Sequence, residues 1–405
     1  MNESAAIILL LVAALVAIVA QKVRLPYSVG LVVAGIVLSM VPFAPQVNLT
    51  RELLFGTLLP PLIFEAAFSL SWSALKRNLG VILTLATLGV VISATITAVG
   101  MRAAVGWPWA SAVMFGILIA ATDPVSVIAA FREAKVAGRL RLLVEAESLF
   151  NDGTAAVAFS ILLAFSLHNN VSPGAIAWSA IGTIGGGLLC GALVGCIVLA
   201  FVGRTQDHLV ELTFTTVAAY GSFLLADNFG ASGVLATLTA GLVVGNFGEM
   251  GQLTARGREA VVAFWDFAAF LANSLVFLLI GMHEAHQPFR GAWAAGLAAI
   301  LFVSLGRAGA VYPTCLIFER TAQRVPRAHQ HVLFWGGLRG GLALALALAL
   351  PEELPLRTDI IKLSFAVVAF SVFVQGLTMT PFLRAMGELP HADDQAHTAK
   401  SSTAK

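Results

Sequence analysis

The sequence predicts an all-α polytopic membrane protein, and three observations carry that prediction. Among 405 residues, 58% are hydrophobic and only 11% are charged, whereas soluble proteins average about 25% charged residues. A soluble domain with that deficit cannot cover its own surface. Apolar runs long enough to cross the roughly 30 Å hydrocarbon core recur along the whole chain. The short alternating segments of a transmembrane barrel are absent, which leaves the helix as the spanning element. The net charge of +2 carries little information, and no block of basic residues points to a nucleic-acid partner. Cys190, Cys196 and Cys315 all fall inside apolar runs and mark neither a redox pair nor a metal site.

Hydropathy divides the chain into about thirteen helices. The first, at about 4–21, contains "AAIILLLVAALVAIVAQ"; it lacks a basic leader and a small-residue cleavage site, so we expect it to remain as a membrane helix. The next five are expected at about 26–42, 52–72, 79–101, 108–131 and 140–167. A seventh, at about 174–203, carries Gly187, Gly191 and Gly195 at a spacing that favours close helix contact, within the chain or between two copies. The remaining six are expected at about 209–227, 231–247, 258–282, 292–318, 330–350 and 359–385. Residues 1–387 thus form one transmembrane domain, and 388–405 a polar, disordered tail.

The loops set the orientation. Odd-numbered connections hold fourteen basic residues, among them Lys22, Lys76, Arg77, Arg139, Arg141, Arg204, Arg320, Arg324 and Arg327. Even-numbered ones hold only Arg51, Arg102, Arg290 and Arg357. Basic residues stay in the cytoplasm, so the C-terminus is expected inside and the N-terminus outside. Two six-helix units joined by the seventh helix must then run in opposite directions, which is the arrangement of inverted repeats.

Helix 5 contains "LIAATDPVSVIAA", in which Pro124 removes a backbone donor next to Asp123. Helix 12, fifth in the second unit, reads "VLFWGGLRGGLALALALAL", with Arg339 between two glycine pairs. Two corresponding interrupted helices are the best sequence pointer to a midplane binding site. Their half-helix dipoles need compensating charge, which Asp123 and Arg339 supply.

Helix 6 carries acids inside an oily run, "VEAESLFNDG". A buried carboxylate costs several kcal/mol unless it is paired, hydrated or protonated. Glu145, Ser148 and Asp152 share one stripe of the helix, with Asp152 roughly 18–20 Å from its cytoplasmic end. That stripe resembles a path: a funnel acid, a hydroxyl ligand, then a deep carboxylate. Glu147 and Asn151 form the neighbouring stripe. Arg307, in "LFVSLGRAGAVYPTCL" of helix 11, needs an acidic partner, and Glu147 is the expected one. Glu65 is either a second funnel acid or a structural residue near Pro60 and Pro61. Asp266 and Asn273 are expected to be structural, His283 and His286 to lie in a solvated loop, and His329 and His331 to be plain interfacial residues.

With these residues in view, "LLPPLIFEAAF", "ATDPVSV", "EAESLFNDG", "GRAGAVY" and "WGGLRGGLALALAL" together resemble the NhaP-type sodium/proton antiporters. This monovalent cation/proton antiporter family is related to the eukaryotic sodium/proton exchangers. The resemblance runs to about residue 386 and implies a thirteen-helix fold, a homodimer and elevator-like alternating access. It implies an ion-transporting core at about 79–167 and 292–386, and a scaffold at about 1–72 and 174–282. It maps the ion-binding aspartate to Asp152, with Asn151, Ser148, Thr122 and Asp123 around it, and pairs Glu147 with Arg307. The substrates implied are a proton and a monovalent cation, most often Na+, also Li+, with K+ as the alternative; no cofactor is called for. The setting implied is a multi-pass protein of the cell (inner) membrane. A long cytoplasmic regulatory domain, found in the larger exchangers, has no counterpart in this sequence.

Two rival classes are weighed against this one. Asp123 and Asp152 could form the dyad of an intramembrane aspartyl protease, since two carboxylates sharing a proton suffice. Such a dyad has no need of Asn151, Ser148, Thr122 or two buried arginines. A channel is the third class, and paired broken helices favour alternating access over it.

Overall fold

The computed structural model describes residues 3–23, 25–41, 50–123, 127–128, 131, 136, 138–166, 172–247, 253–284 and 293–388, and the regular structure among them is helical throughout. In chain order the elements are α1 (Glu3–Val23), α2 (Tyr27–Ser39), α3 (Leu54–Ser69), α4 (Trp72–Val105) and α5 (Trp109–Leu118). They continue as α6 (Arg139–Ser166), α7 (Pro173–Val202), α8 (His208–Asn228), α9 (Gly233–Phe247) and α10 (Ala255–Glu284). The last are α11 (Trp293–Ile317), α12 (Arg327–Trp335), α13 (Gly341–Leu348) and α14 (Arg357–Ala385). Seven helices among the described residues are long and apolar enough to cross a membrane. α6 carries Glu145, Glu147 and Asp152 within or beside its apolar run and is not counted among these seven.

Most boundaries fall within a few residues of the hydropathy reading; one start departs from it, and two spans are interrupted, as the Asp123–Pro124 and Arg339-glycine motifs lead us to expect. α4 starts at Trp72, after an extended Ser71, so Lys76 and Arg77 lie on its exposed first turns and not in a loop. Their charges end the apolar run without ending the helix. α5 stops at Leu118, well short of residue 131. The span expected at 330–350 is two helices with residues 336–340 non-helical between them. His283 also departs from expectation: it belongs to the last turn of α10 and stacks on Phe365 with ring centroids 4.4 Å apart. His286 and residues 389–405 of the tail lie outside the described residues.

Lipid offers no hydrophobic drive for one apolar helix to choose another, so close approach of small residues decides the pairing. The glycines of α7 serve this purpose inside the chain. Gly187 faces the Ser232 carbonyl, Gly191 abuts the Ala236 carbonyl, and Gly195 meets Val243, all on or beside α9. α2 and α10 approach by the same device, with Gly35 against the Leu278 carbonyl and Gly281 against the Val32 carbonyl. The principal pairings are thus α7 with α9, α9 with α3 and α2 with α10, and, separately, α4 with α5 and α11. The opposite side of α7 exposes Trp178, Ile181 and Leu189, a face suited to lipid or to another apolar surface.

A Gly191→Leu substitution should therefore force α7 and α9 apart and lower the unfolding temperature in detergent. Overpacking of this kind costs about 1–3 kcal/mol. Gly182→Leu has nothing within 4 Å of the added Cβ and should be neutral by comparison. Equal unfolding temperatures for the two variants would contradict the packing.

Candidate ion-binding site

The site begins with backbone groups that two interrupted helices leave without partners. A helix that stops at Trp335 orphans its last carbonyls. Arg307, buried on α11, donates from Nε and Nη2 to the Leu333 carbonyl at 3.2 and 2.8 Å. Arg339, buried in the gap itself, donates from Nη1 to the Gly337 carbonyl at 3.0 Å. The two arginines thus serve the C-terminal end of α12, where the break begins.

The second interruption, after α5, docks on the first. The Asp123 N–H donates to the Leu338 carbonyl at 2.8 Å, so the unwound stretches are hydrogen-bonded to each other. The Asp123 carboxylate lies against Gly340, where any side chain would collide with it. Gly340 is the N-cap of α13, whose dipole favours a negative charge there. Pro124, the sequence signal for this break, lies outside the described residues.

α6 presses its polar stripes against this junction. Glu147 is buried, and its carboxylate accepts from Arg307 Nη1 at 2.7 Å and Nη2 at 3.0 Å. A fork of two parallel bonds is among the strongest pairings available to a carboxylate. Asn151 Nδ2 also donates to Glu147, at 3.3 Å. Thr122 Oγ1 donates to Ser148 Oγ at 3.2 Å, with both residues buried. Glu147 is therefore fully engaged.

Asp152 is not. Its Oδ1 is buried with no hydrogen-bond partner among the described residues. Asp152 opens on a cavity of about 80 Å³, lined also by Thr122, Asp123, Asn273 and Gly340, with Ile63 of α3 in its apolar wall. A single water needs only some 10–15 Å³ of such space, so the cavity has room for a partly hydrated monovalent cation. Asp123 and Glu147 repel negative charge at Asp152, and Arg339 attracts it. Ser148, bonded to Thr122, and Asn151 do not line the cavity. An unpartnered carboxylate oxygen on a cavity shared with Thr122 and the Asn273 amide can accept either a hard cation or a proton.

Glu145 and Glu65 are not brought to this cavity. Glu145 pairs with Arg141 at 2.6 Å, one turn away on α6. Glu65 is half-buried on α3, but it does not line the cavity. Asn273, expected to be structural, does line it. The signal that could have found it was an amide in the otherwise apolar "FLANSLVFLLIG" of α10.

Interrupted helices docked on each other around an open carboxylate define a polytopic membrane protein with a polar site in its interior. Residues 7–385 match the family model described as the transmembrane sodium/hydrogen exchanger, and the chain belongs to that family. It is 40% identical over 368 residues to the Na+/H+ antiporter ApNhaP of Aphanothece halophytica, covering 90% of this chain and 70% of that protein. It is 38% identical over 369 residues to the low-affinity Na+/H+ antiporter NhaS1 of a Synechocystis strain, with the same coverage. The fold is similar to the structure of the sodium proton antiporter MjNhaP1 from Methanocaldococcus jannaschii at pH 8. The TM-score is 0.70 at 20% sequence identity, covering 93% of each chain.

The Glu147–Arg307 fork makes a specific prediction. Removing one partner of a buried pair leaves an unpaired charge and typically costs 3–5 kcal/mol. Arg307→Ala should lower the unfolding temperature in detergent, and it also strips the Leu333 carbonyl of its donors. Adding Glu147→Gln should recover part of the loss. A double variant no more stable than Arg307→Ala alone would show that the pair does not carry this energy.

Proposed function

We propose that the protein is a secondary antiporter that exchanges a monovalent cation, Na+ first and Li+ also, for H+. Asp152 binds the two substrates in alternation, and its buried, unpartnered Oδ1 on the cavity is the observation that carries this reading. Thr122 and Asp123 complete the cation shell and Asn273 holds its edge, while Ser148 and Asn151 support it through their bonds to Thr122 and Glu147. Glu147 and Arg307 remain paired throughout, and Arg339 compensates the broken helix. K+ as the cation is the second possibility, because oxygen ligands discriminate among alkali ions only through cavity size and ligand number. Membership of an exchanger family favours this reading over an intramembrane protease.

Transport proceeds by elevator-like movement of a core, α4–α6 with α11–α14, against a scaffold of α1–α3 and α7–α10. The grouping of helix pairs supports this division: α4 packs with α5 and α11, whereas α9 packs with α3 and α7, and α2 with α10. The two units are inverted repeats of six spans each, the break between α12 and α13 falling within one span. The N-terminus lies outside, the C-terminus in the cytoplasm, and the protein works as a homodimer in the cell membrane. The exposed apolar side of α7, opposite its glycines, is a face available to the second copy.

One carboxylate turns over per cycle, since Glu147 is held by Arg307, Asp123 sits at the start of α13, and the neighbour of Asp152 is an amide. Exchange is therefore one-for-one and electroneutral. Asp152→Asn should abolish cation-dependent proton movement in proteoliposomes while leaving a folded protein; robust exchange in that variant would remove Asp152 from the mechanism. A net charge per cycle would couple to the membrane at about 2.3 kcal/mol per 100 mV. Clamping the potential at different values should leave the equilibrium cation gradient set by the pH gradient alone. A systematic shift with voltage would mean that a second proton moves.

A further inference from the structure

The connection between α11 and α12 borders a second cavity, of about 370 Å³, which shares no lining residue with the Asp152 cavity. A series of tight turns, Glu319 N–H to the Leu316 carbonyl, Thr321 to Phe318 and Arg324 to Thr321, folds the chain back under α11. Arg324 and Arg327 thereby line the same cavity as Tyr312, Leu316, Glu319 and Gln330. The polar groups on its wall are unequally engaged. Gln330 Nε2 donates to the Val325 carbonyl at 2.9 Å, and the Tyr312 hydroxyl lies 2.9 Å from His331 Nδ1. Neither Arg324 nor Arg327 has an ion-pair partner among the described residues. Two exposed arginines therefore line a space whose one lining acid, Glu319, forms no ion pair with either.

The position of this cavity specifies the anion. Leu297, Leu301, Leu305, Leu316 and Ile317 form the exposed apolar surface of α11. Arg320, Arg324 and Arg327 follow directly after it in the sequence. The cavity lies at that step from apolar to basic, where a phospholipid places its phosphate. Charge narrows the choice further. Two arginines against Glu319 leave one net positive charge, which a monoanionic phosphodiester cancels and a zwitterionic headgroup does not. Guanidinium is also the side chain best matched to phosphate oxygens in planar, paired geometry. Basic pockets between helices on the cytoplasmic side are a general means of holding anionic lipid headgroups.

We propose that this cavity binds an anionic phospholipid, with Arg324 and Arg327 holding the phosphodiester and an acyl chain lying along the Leu316–Leu305 face of α11. The inference does not depend on the exchange chemistry at Asp152.

The test uses the full chain, purified and stripped of lipid in detergent, with thermal unfolding followed after addition of dioleoyl phosphatidylglycerol, phosphatidylethanolamine, phosphatidylcholine or inorganic phosphate. Phosphatidylglycerol should raise the unfolding temperature by several degrees more than either zwitterionic lipid, and inorganic phosphate should have little effect. The R324Q/R327Q variant should lose most of that difference. R204Q, which removes a basic residue from another connection, should keep it. An equal phosphatidylglycerol effect in R324Q/R327Q and the unsubstituted protein overturns the proposal. A phosphatidylethanolamine effect as large as that of phosphatidylglycerol overturns the charge argument, and a phosphate effect that reproduces it makes this a free-anion site instead. Should R324Q/R327Q prove unstable, a photoactivatable phosphatidylglycerol applied to the unsubstituted protein decides the matter. Labelling between Tyr312 and Gln330 supports the site, and labelling confined to other segments overturns it.

Discussion

The hydrogen bond from the Asp123 N–H to the Leu338 carbonyl, 2.8 Å long, joins two stretches of chain that could not otherwise exist where they are. Inside a bilayer no water is at hand to serve unpaired backbone groups, so an unwound segment survives only if other parts of the protein satisfy it. Here each break helps to satisfy the other, and the remaining orphans recruit side chains: Arg307 to Leu333, Arg339 to Gly337, and Asp123 to the start of α13. Those three side chains are charged, so each brings its own need for compensation. The acids of α6 follow from that need as much as from any chemistry they perform. A Glu147 held by Arg307 is part of the cost of interrupting a helix in lipid. Asp152 is the acid left over once that cost is met.

The same reasoning explains what the sequence disclosed. Helix existence was legible because hydrocarbon imposes a minimum apolar length, and α7, α10 and α11 lie within a few residues of their hydropathy bounds. The gap between α12 and α13 was legible because glycine pairs flank an arginine that no uninterrupted membrane helix needs. α4 was less so: a window of hydropathy cannot tell a charged first turn at the membrane surface from a loop, and Lys76 and Arg77 are of the first kind. The α7 glycines announced close contact without naming the partner, since a small-residue stripe serves a neighbour in the same chain as well as one in another. Only the geometry assigns them to α9.

Legibility of the site followed a similar line. Glu147, Ser148, Asn151 and Asp152 lie on one helix, so spacing alone sorts them into stripes. Asn273 reaches the cavity from α10, about 120 residues away in sequence, and no periodicity within α10 distinguishes an amide that faces a cavity from one that serves the fold. Glu145 shows the converse. Its place on the Asp152 stripe fits a funnel, yet Arg141 at i−4 already holds it. A shared stripe establishes direction along a helix; occupancy by a neighbour decides what a residue on that stripe is free to do.

Charge at the junction ties stability to the stoichiometry proposed above. Taken as ionised, Asp123, Glu147 and Asp152 contribute three negative charges, and Arg307 and Arg339 two positive ones. The Glu147–Arg307 fork cancels itself at bonding distance. Arg339 acts on Asp152 from a distance, with no carboxylate within ion-pair range among the described residues. One negative charge therefore remains in a region where isolated charge is expensive. A single Na+ or a single proton at Asp152 removes it, and the two loaded forms carry the same net charge. The empty form carries one more negative charge and is the least favourable to move through an apolar interior. In the exchange proposed above, the state that would have to cross unloaded is thus the one that the charges at the junction penalise, which is a physical reason for such a carrier to exchange and not to leak.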